Sequence, residues 1–270
     1  MCNLKLEEKI LVRDSIVFSM ATLMITWVIF GLFLGVEDFA YIMFVPAIVA
    51  LVMNYARNRS FRSLLDPLTR KPDARSILFA FLYPLAAIAI LAFIDVISGI
   101  GTLDMNHLRK LMELPTLGAA IFSVLLMFGE EYGWRGYLLD NIAKIKGEIH
   151  ATVVVGIIWA VWHGPGVYEL GMESGAKHPL LQSLVQMISV FVISFPFSYS
   201  YFKTRSIVPP MILHFIWNHY NPLMLGSVYS NEPGIIKGEI MLINGEGVAG
   251  ILFGLCFILW FTKVYRRKAA

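Results

Sequence analysis

Apolar runs of near-bilayer length recur along this chain at about residues 15–35, 39–55, 76–100, 115–140, 151–168, 180–202, 206–226 and 246–263. A hydrocarbon core of ~30 Å takes about 20 helical residues to cross. Lipid offers the backbone no hydrogen-bond partners, so such runs must be helical or closed into a barrel. The lengths select helices. The expected fold is an all-α membrane protein, an eight-helix polytopic transmembrane bundle with both termini cytoplasmic. Residues 1–270 are expected to form a single integral membrane domain, with catalytic helices at about 115–226. A composition of 57% hydrophobic and 15% charged residues, with mean hydropathy +0.68, excludes an ordinary soluble domain. The first run is too long for a signal-peptide core and reads as an anchor that stays. Two cysteines, Cys2 and Cys256, stand far apart and exclude a disulfide framework.

The basic residues test this threading. With the N-terminus inside, the cytoplasmic segments hold 17 of the 22 Lys and Arg, the outer segments hold four, and Arg135 lies within a span. That asymmetry is the positive-inside bias of an eight-span chain. It also accounts for the basic loop 57–75 without a nucleic-acid partner. The expected location is therefore an integral membrane, the plasma membrane in a prokaryote or the endoplasmic reticulum in a eukaryote.

One span carries charges that need a reason. Glu130, Glu131 and Arg135 fall inside the fourth run, where each charge costs at least a few kcal/mol. Adjacent helical residues point about 100° apart, so the two acids face different neighbours. Glu131 and Arg135 are four apart with the acid first, the favourable order for an ion pair. This pair reads as structural support. Glu130 must look to another helix for a partner. Gly129 and Gly133 allow a neighbouring helix to approach closely. The alternative is that all three charges only lock the bundle together.

Two spans read as irregular. His163-Gly164-Pro165-Gly166 should end the fifth helix inside the membrane. Pro209-Pro210 should delay or kink the start of the seventh. Both point to a polar cavity between the fourth, fifth and seventh spans, since irregular backbone at that depth needs protein or water beside it. His163, His214 and Asn218 are the further polar residues at depth. Counted inward from the cytoplasmic boundary at ~1.5 Å per residue, Glu130, His163, His214 and Asn218 lie within ~6 Å of one level. Four independent core residues have no reason to share a depth, so the group reads as a reaction site.

The residue types suggest its chemistry. A desolvated glutamate is a competent general base, and His163 can hold the same water. His214 and Asn218, one helical turn apart, offer N–H donors for an oxyanion. No Ser-His-acid or Cys-His pairing stands out, and His-Glu-x-x-His is absent. Glu130, His163 and His214 could still hold a metal in three dimensions. A proton-coupled transporter and a non-catalytic scaffold or immunity protein are the competing classes; no internal repeat of the kind transporters carry is visible.

At these residues the chain resembles the CPBP (ABI) family of intramembrane proteases, specifically the type II CAAX prenyl endopeptidases. The family's E-E-x-x-x-R, F-x-x-x-H and H-x-x-x-N motifs read here as Glu130-Glu131 to Arg135, Trp159 to His163, and His214 to Asn218, with Trp159 the single departure. The resemblance implies a glutamate-dependent hydrolase with no cofactor and no metal. Glu130 and His163 would activate water, His214 and Asn218 would stabilise the oxyanion, and Glu131 and Arg135 would support them. The implied partner is a prenylated protein or peptide C-terminus, met among membrane lipids, from which the last three residues are removed. Such proteins approach from the inner leaflet, which suits the threading above.

Overall fold

The computed structural model of this chain describes residues 2–33, 36–112 and 115–269. It is all-α but for one two-stranded ribbon. In order come α1 (Cys2–Phe33), a 3₁₀ segment (Val36–Phe44), α2 (Val45–Asn58), α3 (Phe61–Thr69) and α4 (Ala74–Ser98). After β1 (Gly101–Leu103) and a second 3₁₀ segment (Met105–Met112) come α5 (Leu117–Glu131), a π-helical stretch (Tyr132–Leu139) and α6 (Asp140–Glu173). Then follow α7 (Pro179–Phe202), α8 (Val208–Leu225), β2 (Ile236–Gly238), α9 (Ile240–Ile243) and α10 (Val248–Ala269).

The chain is an integral membrane protein. Six helical stretches among the described residues are long and apolar enough to cross a bilayer. One of them, Leu117–Glu173, is 57 residues long and folds back on itself at Gly147, whose φ of 79° no β-carbon tolerates easily. The indole rings of Trp134 and Trp162, 5.8 Å apart across that turn, show the two arms lying side by side. With α8 running between the same two faces, the described helices make eight crossings, in line with the sequence. Their outward faces carry Leu32, Phe93, Leu117 and Leu259, all more than 60% exposed, as a surface solvated by lipid requires.

Both ends of the described chain share one face with the basic loops. Arg57 approaches Asp14, Arg70 and Arg205 both reach Asp140, Arg205 also reaches Glu148, and Phe202 packs on Tyr265. The opposite face carries the antiparallel β1–β2 ribbon, pinned by Asp104 with Lys237 and His107.

The glycines of the fourth span seat it against its neighbour. A β-carbon on Gly133 would come within 2.6 Å of the Pro46 carbonyl carbon, and one on Gly129 would collide with the Met43 carbonyl oxygen. The fifth span departs from expectation. Pro165 does not end α6, which continues to Glu173. The flanking glycines serve packing instead of termination. A β-carbon on Gly164 would meet the Met187 sulfur at 2.7 Å, and one on Gly166 would overlap the Phe39 ring. The Gly164 carbonyl accepts a hydrogen bond from Ser183 Oγ at 2.7 Å, so α7 supports the backbone beside the proline. Pro209 and Pro210 occupy the first turn of α8, where their missing N–H groups cost nothing, and the helix starts at Val208.

Candidate active site

The two adjacent acids grip different helices. Glu130, at the end of α5, accepts a hydrogen bond from the Trp159 indole of α6, with Nε1 2.7 Å from Oε2. Glu131 turns toward α8, where its Oε1 accepts from Arg135 Nη1 at 2.9 Å and meets His214 Nδ1 at 2.8 Å. Glu131 and Arg135 are fully buried. The Arg135 guanidinium also lies over the Trp159 and Phe197 rings, 4.0 and 4.5 Å from their centroids, which replaces part of its lost hydration. The ion pair expected from the spacing is present, and it also sets the orientation of His214.

The histidines differ in their partners. His163 Nδ1 lies 2.9 Å from the Trp159 carbonyl oxygen. A carbonyl only accepts, so Nδ1 carries the proton and Nε2 is left as an acceptor. His214 donates from Nδ1 to a carboxylate already paired with arginine, which leaves Nε2 for the cavity. Trp159 thus serves two neighbours at once, its side chain holding Glu130 and its backbone fixing His163. A phenylalanine at this position could supply only the second contact.

Glu130, His163, His214 and Asn218 all line one cavity of about 170 Å³. Glu130, His163 and His214 are buried, while Asn218 is exposed and marks where the cavity meets the surface of the bundle. Apart from a loose 3.9 Å contact with the Met127 sulfur, no hydrogen bond restrains the Asn218 amide among the described residues. Glu131 and Arg135 stand behind the wall. Among the described residues, no three His, Cys, Asp or Glu side chains are gathered into a metal-holding group.

The cavity does not open where the threading suggested. None of its lining residues comes from the basic loops. At that end the π-helical stretch packs Trp134, Arg135 and Tyr137 into the bundle and closes it. The lining runs the other way, past Gln186 and Trp217, to Tyr229 and Glu246 near the ribbon face. There a second carboxylate sits at the wall: Glu246 accepts from Trp217 Nε1 at 3.1 Å, Tyr229 Oη at 3.0 Å and Gln186 Nε2 at 3.3 Å. Burial, and then the charge of Glu246, push the Tyr229 phenol well above its ordinary pKa, so it remains a donor. These residues escaped the sequence reading. Glu246 lies in Asn-Gly-Glu-Gly, which reads as a turn; only Trp217, three residues past His214 on the same helical face, carried a signal.

Comparison with known proteins bears on the same segment. Residues 112–220 match the family model described as Type II CAAX prenyl endopeptidase Rce1-like, and all three motifs fall within them. The family resemblance drawn from the motifs is thus met by the family model. The chain is 29% identical over 127 residues to CAAX prenyl protease 2 of Methanococcus maripaludis, covering 44% of each protein. It is 26% identical over 155 residues to Lysostaphin resistance protein A of Staphylococcus haemolyticus, covering 57% of this chain and 39% of that one. The match therefore spans less than half the length of either relative.

Proposed function

We propose that this chain is an intramembrane endopeptidase that hydrolyses a peptide bond near the C-terminus of a prenylated Cys-a-a-X protein. The observation that carries the reading is the meeting of Glu130, His163, His214 and Asn218, from α5, α6 and α8, around one cavity. A water there finds two acceptors, the Glu130 carboxylate and His163 Nε2. Donating a hydrogen to each would aim its lone pair at a carbonyl carbon. As the oxygen–carbon bond forms, the water's proton passes to Glu130. The carbonyl oxygen becomes an oxyanion within reach of His214 Nε2–H and the Asn218 amide. Collapse breaks the carbon–nitrogen bond, and Glu130 returns the proton to the departing amine. His214 can donate from Nε2 only while protonated at both nitrogens, with Glu131 Oε1 as the partner of its Nδ1. The expected reaction needs no cofactor, and the residues released are the last three. The prenyl chain stays in lipid at the Asn218 rim while the peptide enters.

The test is cleavage of a farnesylated Cys-a-a-X peptide by the purified full chain, with and without a chelator. Cleavage that survives the chelator and disappears in Glu130→Gln supports the mechanism. Full activity in that variant rejects it, and loss to the chelator alone supports the metal-dependent form. A second reading, a non-catalytic membrane protein of the immunity type, draws on the relative named for lysostaphin resistance. It predicts no cleavage, and a cellular role indifferent to Glu130→Gln.

A further inference from the structure

One wall of the cavity presents acceptors. Glu246 takes three hydrogen bonds, from Trp217, Tyr229 and Gln186, and a carboxylate can accept about four. Gln186 is 1% exposed, and both its Nε2 hydrogen bonds, to Glu246 and to Tyr229, fix which way its amide faces. Reversing it would set oxygen against carboxylate. The Gln186 Oε1 atom is buried with no donor among the described residues, a condition that ordinarily costs about 1–3 kcal/mol. Both residues line the same cavity as the four motif residues, and among the described residues no Lys or Arg does. An unmet acceptor beside an anion, in a cavity that holds a second carboxylate at Glu130, calls for a donor from outside the chain.

We propose that Glu246 and Gln186 form a subsite for an N–H-bearing side chain on the peptide segment beyond the scissile bond, with preference for a cationic residue and rejection of an acidic one. This rests on the endopeptidase reading. Asn218, Tyr229 and Glu246 also line an adjoining pocket of about 250 Å³, so a peptide whose carbonyl stands between Glu130 and Asn218 has Glu246 beside the residues to be released. A lysine or arginine there gives the Gln186 oxygen its missing donor and meets the carboxylate. An acidic side chain meets two anions in a poorly hydrated space.

The experiment uses three farnesylated peptide series with Lys, norleucine or Glu placed at each of the three released positions in turn. In the wild-type chain, kcat/KM at one position should fall from Lys through norleucine to Glu, spanning about tenfold or more. Glu246→Gln should compress that span to about twofold, and Gln186→Leu, which leaves the charge in place, should cut the Lys advantage alone. An unchanged span in both variants overturns the subsite, as does equal treatment of the three peptides by the wild type. Binding of the same peptides to a Glu130→Gln background separates this inference from the reading beneath it. Selective binding lost in Glu130→Gln/Glu246→Gln, with no cleavage by the wild type, keeps the subsite and removes the hydrolase. Cleavage without selectivity does the reverse.

Discussion

Replacing Glu131 by glutamine tests the most consequential pair in the molecule. The substitution keeps the side chain's volume but leaves Arg135, fully buried, without the only ion-pair partner within 4 Å that it has among the described residues. Removing one member of a buried pair commonly costs about 3–5 kcal/mol, because the remaining charge is neither solvated nor matched. The stacking of Arg135 on Trp159 and Phe197 is present before and after the substitution and offsets none of that loss. A loss of about 3–5 kcal/mol should lower the thermal midpoint by roughly 6–20 °C for a chain of this size. Glu131→Gln/Arg135→Met removes both charges and should recover at least half of that loss. The full cycle, including Arg135→Met alone, is read by thermal unfolding in detergent followed by size-exclusion chromatography. Cleavage behaves differently. Both the single and the double variant deprive His214 of its carboxylate, so activity should fall about 10²-fold in each, the scale of losing one oxyanion donor. A coupling energy under about 1 kcal/mol would show that Arg135 is not held by Glu131. Full activity in the double variant would show that His214 does not depend on it.

Other outcomes follow from the same geometry. Asn218→Ala should lower kcat by about 10²-fold with little change in KM, since its amide would bind charge that exists only in the transition state; an effect confined to KM would move Asn218 to substrate binding. Gly129→Ala should destabilise the bundle by about 1–3 kcal/mol, because the new methyl group lands on the Met43 carbonyl and backbone yields poorly; an unchanged unfolding temperature would refute that packing. Asp104 is held below the ordinary carboxylate range by hydrogen bonds from Lys237 and then His107. A lowered folded pKa stabilises above the unfolded value near 4 and is lost as pH falls through the folded one. Protection factors of the β1 and β2 amides, corrected for intrinsic exchange, should therefore be unchanged from pH 7 down to about 5 and fall only below about 4; a fall already near neutral pH would place the clamp elsewhere.

Residue type and depth were enough to bring Glu130, His163, His214 and Asn218 to one place. A buried charge has few tolerable surroundings, and helical rise converts sequence separation into depth. The Glu131–Arg135 pair was legible for the same reason, being local to one helix. The contact of Glu131 with His214 joins residues 83 apart, and no spacing rule reaches that far. The passage of α6 through Gly164-Pro165-Gly166 was missed because a Gly-Pro-Gly run ends helices in water, where nothing repairs the backbone. Here Ser183 supports it, and Phe39 and Met187 occupy the space the glycines leave. Glu246 was missed because turn chemistry and site chemistry use the same residue types. The direction of the cavity was missed because it depends on the π-helical plug of residues 132–139, which leaves no periodic trace.

The divergence of Glu130 and Glu131 has a mechanical outcome. Each acid clasps a different helix, Glu130 holding α6 through Trp159 and Glu131 holding α8 through His214. The end of α5 is thus the pivot of the assembly. Any parting of α6 from α8 wide enough to admit a peptide leaves Glu130 and His163 on one leaf and His214 and Asn218 on the other. Only when the leaves fold back together do all four face one cavity, so under the proposed mechanism the protein is disarmed whenever it gapes.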